Sequence, residues 1–399
     1  MPRRAERVAH FGTTVFSEFS ALAQKHQAVN LGQGFPDFDG PEAIKQAAIR
    51  AIEDGVNQYA IGAGAVALRR AIAEHSKRFY GMSVDPETMV TVTSGATEAI
   101  FDTIQALVNP GDEVVLFEPF YDSYEAAVIM AGGVPRFVLL RPPEAAHRAW
   151  WFDEDELRGA FSAKTKLVVV NTPHNPTGKV FTREELELVR ELCVRHDALV
   201  LSDEVYEHLV FAPARHLRPA TLPGMWERTV TVSSAGKSFS FTGWKVGWAI
   251  APEPLRAAVQ SAHQFVTFAT AAPFQAAIAE ALRLPDRYFA DLEKDYRHKR
   301  GLLIGALEEA GLRAFVPEGT YFVMADLDGT GFDDDFAFCR FLTAEIGVAA
   351  IPPSAFYGPE HRAHGRRLVR FAFCKREETV RAAAERLRRL PEVLARRGA

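Results

Sequence analysis

Along residues 42–285, segments in which apolar residues recur every three or four positions alternate with short runs that are apolar almost throughout. The runs at 89–93, 113–117, 166–170, 198–202 and 229–232 are short and densely apolar, the last of them β-branched throughout, and predict strands. A strand that is apolar on both faces is covered on both faces, so the pattern predicts a mostly parallel sheet between helix layers, an α/β fold. Near residue 285 the texture changes. A long charged helical pattern over 287–309, a strand-like segment at 317–325 and an arginine-rich helical tail predict a second, smaller α+β domain. The stretch Val29-Asn30-Leu31-Gly32-Gln33-Gly34-Phe35-Pro36 reads as an extended segment returning toward the site, so the first residues are expected to join that smaller domain. The expected division is therefore 42–285 for the large domain and 1–41 with 286–399 for the small one.

Composition narrows the function classes. A chain of 399 residues, 48% hydrophobic, can bury the cores of two or three domains. A formal charge of -5 offers no excess of cations for phosphate neutralisation, so nucleic acid is not expected as a partner. The basic stretches Pro2-Arg3-Arg4 and Arg366-Arg367 are short and read as solvated surface. Cys193, Cys339 and Cys374 lie far apart without CxxC spacing, which argues against a zinc or redox site and fits a reducing cytoplasm; no metal is expected. Residues 8–13 lack an apolar core for secretion and no run of about 18 apolar residues follows, so neither export nor membrane insertion is expected.

In open α/β sheets ligands gather beyond the carboxyl ends of the strands, so the residues that follow each run are the place to seek chemistry. After 229–232 comes Ser233-Ser234-Ala235-Gly236-Lys237-Ser238; a lysine held out of bulk water beside a small-molecule site deprotonates more easily and attacks carbonyl carbon. After 89–93, Ser94-Gly95-Ala96-Thr97-Glu98 opens a helical pattern and reads equally as a plain N-cap or as a phosphate cradle. After 166–170, Asn171-Thr172-Pro173-His174-Asn175-Pro176-Thr177-Gly178 forms a stiff turn that aims the Asn175 amide. After 198–202, Asp203 is expected to be partly buried and to need a cationic or N–H partner, with Tyr206 one helical turn further on. Lys245 adds a second cation able to neutralise a phosphate and to depress the pKa of Lys237. A phosphate cradle, an acid for a ring nitrogen, donors for a ring oxygen and an amine for an aldehyde together match pyridoxal phosphate. The segment Gly62-Ala63-Gly64-Ala65-Val66-Ala67 fits G-x-G-x-x-A, but no convincing strand precedes it and no acidic ribose ligand is identifiable, which argues against a dinucleotide site.

Over nearly its whole length the chain resembles the class I/II aminotransferases of pyridoxal phosphate fold type I, nearest to the branch of kynurenine aminotransferase, glutamine transaminase K and methionine aminotransferase. The resemblance rests on Asn30 to Phe38, Asn57-Gln58-Tyr59, Glu118-Pro119-Phe120-Tyr121-Asp122-Ser123-Tyr124, Pro173 to Gly178, Ser202-Asp203-Glu204-Val205-Tyr206, the Lys237 segment and Arg370-Phe371-Ala372-Phe373. It implies that Lys237 forms the internal aldimine and carries the α-proton, that Asp203 keeps the pyridine nitrogen protonated, and that Asn175 and Tyr206 bond the ring oxygen. It implies further that Tyr121 stacks on the ring, that Ala96, Thr97, Ser234 and Lys245 hold the phosphate with Tyr59 of a second subunit, and that Arg370, helped by Asn175 and Gly34, grips the substrate carboxylate. A homodimer with shared sites follows from the Tyr59 role. Plain alternatives stand beside three of these: core packing for Tyr121, intrachain packing for Tyr59 and turn formation for Ser234.

For the side-chain pocket the resemblance points to Phe16, where the branch carries a tryptophan, and to Phe268-Ala269, where it carries a Phe-His pair from the partner. Loss of that histidine leaves an apolar, aromatic pocket. The expected activity is ping-pong transfer of the α-amino group from an amino acid with a large apolar, aromatic or thioether side chain to a 2-oxo acid. A pyridoxal phosphate C–S β-lyase is the alternative, since the same carbanion serves elimination. A cofactor-sensing regulator ranks below both, because such proteins carry a fused DNA-binding segment and only about forty residues precede the large domain here.

Overall fold

The computed structural model describes residues 4–9, 11–12 and 14–398, so the sequence readings on Pro2, Arg3, His10 and Thr13 lie outside the described residues. Strands appear in the order β1 (Val29–Asn30), β2 (Val90–Ser94), β3 (Glu113–Glu118), β4 (Val134–Leu139), β5 (Thr165–Asn171), β6 (Leu199–Asp203), β7 (Thr229–Ser234), β8 (Val246–Ile250), β9 (Arg313–Phe315), β10 (Phe322–Asp326), β11 (Val348–Ala349) and β12 (Leu368–Ala372). Seven of them form the central sheet in the order β2-β8-β7-β6-β5-β3-β4. Every neighbouring pair from β7 to β4 is parallel, while β8 runs antiparallel to both of its neighbours.

The apolar runs are covered on both faces because successive side chains point to opposite sides of a strand. Val114 and Leu116 pack with Ala99, Ile100 and Ile104 of the helix Gly95–Leu107. Val115 and Phe117 face the other way, into a cluster with Leu186, Val189 and Leu192 of the helix Arg183–His196. That helix begins with a capping box, Thr182 to Glu185, which fixes where the chain turns from strand to helix.

Two readings of local structure need correction. Ser94, Glu118, Asn171, Asp203 and Ser234 are the last residues of their strands, one or two positions beyond the apolar runs. The ladder uses backbone groups, so a polar side chain does not end it: Asn171 still pairs opposite Asp203, and Ser94 opposite Val246. The residues after Asp203 form a turn over 205–208 and not a helix. The Asp203 carboxylate accepts the Val205 N–H at 3.2 Å, a local bond that competes with helical pairing.

Outside the central sheet, β12-β10-β9 form an antiparallel sheet and β1 pairs in parallel with β11, Val29 opposite Val348. Phe19 and Leu31 from the first part of the chain are buried in one cluster with Tyr296, Leu303, Phe338, Phe371 and Val380. The helix Asp286–Glu309 contributes Tyr296 and Leu303 to that cluster.

Candidate active site

The carboxyl ends of β2, β3, β5, β6 and β7 and the amino end of the reversed β8 share one edge of the sheet, and a cavity of about 260 Å³ opens there. Ala96, Thr97, Tyr121, Asn175, Asp203, Tyr206, Ser234, Lys237 and Lys245 all line it, and Gly34 joins them from the segment after β1. Residues more than 200 positions apart in sequence therefore meet in one cavity, as the hydrogen bond from Lys237 Nζ to the Gly34 carbonyl, 203 positions away, illustrates.

Lys237 sits in the short helix Ala235–Ser238 after β7. Its Nζ donates to the Tyr321 hydroxyl at 2.9 Å and to the Gly34 carbonyl at 3.3 Å. Burial pushes the ammonium down to about 8; the Arg370 and Lys245 cations push the same way, against the pull of Asp203. Lys245 thus acts in the expected direction, but burial is the main cause. Asp203 is buried at the end of β6 and accepts from the Tyr124 hydroxyl at 2.6 Å. Burial pushes its carboxyl up to about 6, although the Tyr124 hydroxyl and the Val205 N–H both favour the ionised form. Two groups whose charged forms are disfavoured by burial lie in one cavity, a pairing that a cationic ring and an aldehyde-bearing ligand would relieve.

The helix Gly95–Leu107 also presents its first turn to the cavity. The Ser94 side chain makes no capping bond, so the plain N-cap reading does not hold. Glu98 instead accepts from the Ser94 N–H, which leaves the next backbone donors facing the cavity. Gly95 takes φ +77°, and a Cβ there would lie 3.2 Å from Lys245 Nζ. A Cβ on Gly247 would lie 2.4 Å from the Gly95 carbonyl carbon, so two glycines let β8 press against the helix start. A helix N-terminus with a lysine at its first residue is a ready anion site. The Thr97 and Tyr121 hydroxyls approach to 3.4 Å beside it.

Arg370, on β12, is 1% exposed. Its Nη1 donates to Asn175 Oδ1 and its Nη2 to the Gly32 carbonyl, both at 3.1 Å. Its Nε has no partner, and among the described residues no carboxylate lies within ion-pair distance. The rings of Phe322, Phe356 and Phe16 surround it with centroids at 4.2, 5.0 and 5.3 Å. A buried guanidinium walled by rings is a costly arrangement unless an anion completes it. Tyr59 and Phe268 do not reach this cavity. Tyr59 is 83% exposed and packs edge-on against Phe268, in a separate depression that also includes Asn57 and Gln58.

The donor set fits pyridoxal phosphate: a buried carboxylate without a cationic partner, an amine with lowered pKa, and a helix start with an adjacent lysine for the phosphate. Sequence reasoning did not single out four contributors. Tyr124, which holds Asp203, lay in the quoted Glu118–Tyr124 motif three positions after Tyr121. Asn171 links β5 to β6 by donating to the Asp203 carbonyl at 2.9 Å and accepts the Asn175 N–H at 2.7 Å. Tyr321 and Gly247 carried no signal until the chain was folded.

The aminotransferase class I and II family model matches residues 26–387. The chain is 48% identical to the N-succinyldiaminopimelate aminotransferase from Mycobacterium tuberculosis, whose structure superposes with a TM-score of 0.94 over 97% of this chain and 100% of that one. It is 43% identical to the methionine aminotransferase of Escherichia coli over 96% of this chain and 97% of that protein. It is 42% identical to the kynurenine–oxoglutarate transaminase of Dictyostelium discoideum, covering 97% and 96% of the two chains. With its fold, cavity and sequence in agreement, the chain belongs to the class I and II aminotransferases, enzymes of pyridoxal phosphate fold type I that depend on that cofactor.

Proposed function

We propose that the protein moves the α-amino group of an amino acid with a large apolar, aromatic or thioether side chain to a 2-oxo acid by a ping-pong mechanism. The observation that carries this reading is Arg370: a buried cation with an unpartnered Nε, ringed by Phe16, Phe322 and Phe356. A carboxylate completes that guanidinium bidentately, and the rings leave an apolar wall for the rest of the donor. Asn175, already bonded to Nη1, and the Gly34 backbone share the carboxylate site.

Bound in the cavity, pyridoxal phosphate supplies an electrophilic aldehyde and a ring that takes up the electron pair left at the substrate α-carbon. Asp203 would pair with its ring nitrogen, Asn175 and Tyr206 would bond its ring oxygen, and Tyr121 would cover its face. Ala96, Thr97, Ser234 and Lys245, which line the cavity, would hold its phosphate. Lys237 takes the α-proton at Nζ and returns it on the other side of the exchange, a task suited to an amine pushed down to about 8.

The surface around Tyr59 supports a homodimer. Ile61, Phe265, Val266 and Phe268 are half or more exposed, as is Tyr59, which packs on Phe268, and exposed large apolar side chains gathered together mark a surface that a partner covers. In that assembly Tyr59 of the second copy would reach the phosphate. The chain is read as two domains, 42–285 and 1–41 with 286–399. None of its described helices is long and apolar enough to cross a membrane.

The 48% identity to a protein described as an N-succinyldiaminopimelate aminotransferase favours a second reading, a long donor with a distal anion. Lys375, 4% exposed, donates to the carbonyl of Phe35, which lines the cavity, and would be the cation offered to such a donor. Steady-state rates across methionine, phenylalanine, kynurenine, aspartate and a succinylated diamino acid, with one 2-oxo acid, separate the two. Highest kcat/KM for methionine or phenylalanine supports the first reading, highest for the succinylated donor supports the second, and a clear preference for aspartate refutes both.

A further inference from the structure

Lys237 is not held by the cavity residues that the sequence singles out for the ring. Its nitrogen is held by Tyr321, the residue before β10, at 2.9 Å, and by the Gly34 carbonyl at 3.3 Å. The Tyr321 hydroxyl in turn donates its own hydrogen to the same Gly34 carbonyl at 2.6 Å. That donation fixes the rotor, so the phenol oxygen meets Lys237 only as an acceptor. A neutral amine has two N–H groups and one lone pair. The two acceptors lie only 2.6 Å apart, closer together than two N–H bonds of one nitrogen can point, so together they hold one side of Nζ and leave the rest of it to the cavity that Lys237 lines.

The backbone is built to hold this arrangement. Thr320, fully buried, adopts φ +65°, a region that β-branched residues rarely enter. It is kept there by its N–H on the Leu209 carbonyl at 2.8 Å and by its hydroxyl, which accepts the Phe322 N–H at 3.2 Å. The Gly319 N–H on the Gly178 carbonyl at 2.8 Å ties the preceding residue to the loop after β5. The Tyr321 ring is wedged edge-on against Tyr206, centroids 5.2 Å apart, and stacked on Tyr296 at 5.9 Å. A strained residue thus aims a fully buried phenol at the reacting nitrogen, and burial keeps that phenol protonated.

We propose that Tyr321 is a positioning residue of the amino transfer: its hydroxyl holds the free Lys237 amine at the cavity wall, within reach of the substrate α-carbon, during each half-reaction. This rests on Lys237 being the proton carrier, as in the function proposed above. Gly34 couples the two tasks, since the carbonyl that orients Lys237 belongs to the residue whose backbone faces the substrate carboxylate.

The test is Tyr321→Phe in the full-length holoenzyme, with three readouts. The single-turnover rate of the first half-reaction is expected to fall about tenfold to a hundredfold with KM changed less than threefold. The deuterium isotope effect at the substrate α-carbon is expected to rise, because proton transfer becomes slower than the steps around it. In cofactor-free protein, the pH midpoint for trinitrophenylation of Lys237, read by peptide mass spectrometry, is expected to move down by about half a unit to one unit, since the ammonium loses an acceptor. A side chain that only fills space would leave the labelling midpoint and the isotope effect where they are, and that result overturns the proposal. If the phenylalanine variant does not fold, 3-fluorotyrosine at 321 keeps the shape and weakens the acceptor: a smaller shift in the same direction supports the proposal, and identity with wild type overturns it. Lys237→Ala is the control for the underlying reading; amino transfer that survives in it defeats the function itself, whereas an inactive Lys237→Ala beside an unperturbed Tyr321→Phe defeats only the role of Tyr321.

Discussion

Replacing Asp203 by Asn should make the cofactor-free protein more stable while disabling it. The carboxyl is fully enclosed, and burial pushes its pKa from 3.8 to about 6. A rise of about two units means that the ionised carboxylate costs about 3 kcal/mol in the folded, cofactor-free protein. For an acid whose folded pKa is raised, the favourable balance is complete below the unfolded value and is lost as pH climbs through the folded one. The loss therefore falls between about pH 4 and pH 6, and at pH 7 the whole cost is present. Asparagine carries no charge, but it can accept only one of the two bonds that Tyr124 and Val205 now donate. Losing the longer one, at 3.2 Å, returns about 1 kcal/mol, so a net gain of about 2 kcal/mol is expected at pH 7. Urea unfolding of both cofactor-free proteins from pH 4.5 to 7 measures it. Taking the difference between the two removes the other acids that burial pushes up, Asp102, Asp335 and Glu118 among them. The advantage should shrink as pH falls, and pyridoxal phosphate should bind the variant more weakly because its ring nitrogen has lost its counter-charge. An advantage that is absent at pH 7, or that stays constant across the range, would refute the claim that this carboxylate is held at a cost for a cationic ligand.

Arg370→Lys should lower kcat/KM for every donor by about 3 kcal/mol, on the order of 150-fold, because one ammonium cannot keep Asn175 and Gly32 and also take a carboxylate bidentately; a loss under fivefold in steady-state assays would contradict it. The rate at which cofactor-free protein takes up pyridoxal phosphate should rise with pH and level off above about 8, as the Lys237 ammonium deprotonates. Stopped-flow absorbance follows it, and a rate that still climbs severalfold between pH 9 and pH 10 would mean an ordinary lysine. Gly247→Ala places a methyl 2.4 Å from the Gly95 carbonyl carbon, so the helix start must shift. Cofactor affinity should fall at least about tenfold and stability by about 1–3 kcal/mol, as fluorescence titration and thermal unfolding would report.

The central sheet was legible because its strands are apolar on both faces, a pattern that few other arrangements require. The edge that carries the chemistry was legible for a related reason. Ser94, Asn171, Asp203 and Ser234 each interrupt an apolar run at its end, and a polar residue at the close of a buried strand is conspicuous. What the pattern hid is where the ladder stops, since backbone pairing carries Asp203 and Asn171 into the strands themselves. The turn after Asp203 was hidden as well, because its stop signal is the aspartate side chain bonding two residues ahead, which competes with helix formation only once the chain is folded.

The residues that escaped detection share a physical character: each acts through another group. Tyr124 holds Asp203, Asn171 positions Asn175, and Tyr321 holds Lys237. A buried tyrosine in an aromatic-rich stretch reads as core, and by area it is core; only the direction of its hydroxyl separates packing from chemistry. Gly247 is more opaque still, since its contribution is the absence of a side chain where β8 meets the start of the Gly95–Leu107 helix. The groups proposed to meet the ligand announce themselves by being polar where the pattern asks for apolar residues. The groups that aim them are apolar where apolar residues belong, so their role emerges from distances and not from composition. For the same reason, substitutions at Tyr321 should be quieter in stability than in rate. The phenol's two hydrogen bonds, on Lys237 and Gly34, are spent on orientation, while the ring that Tyr206 and Tyr296 enclose is retained by phenylalanine.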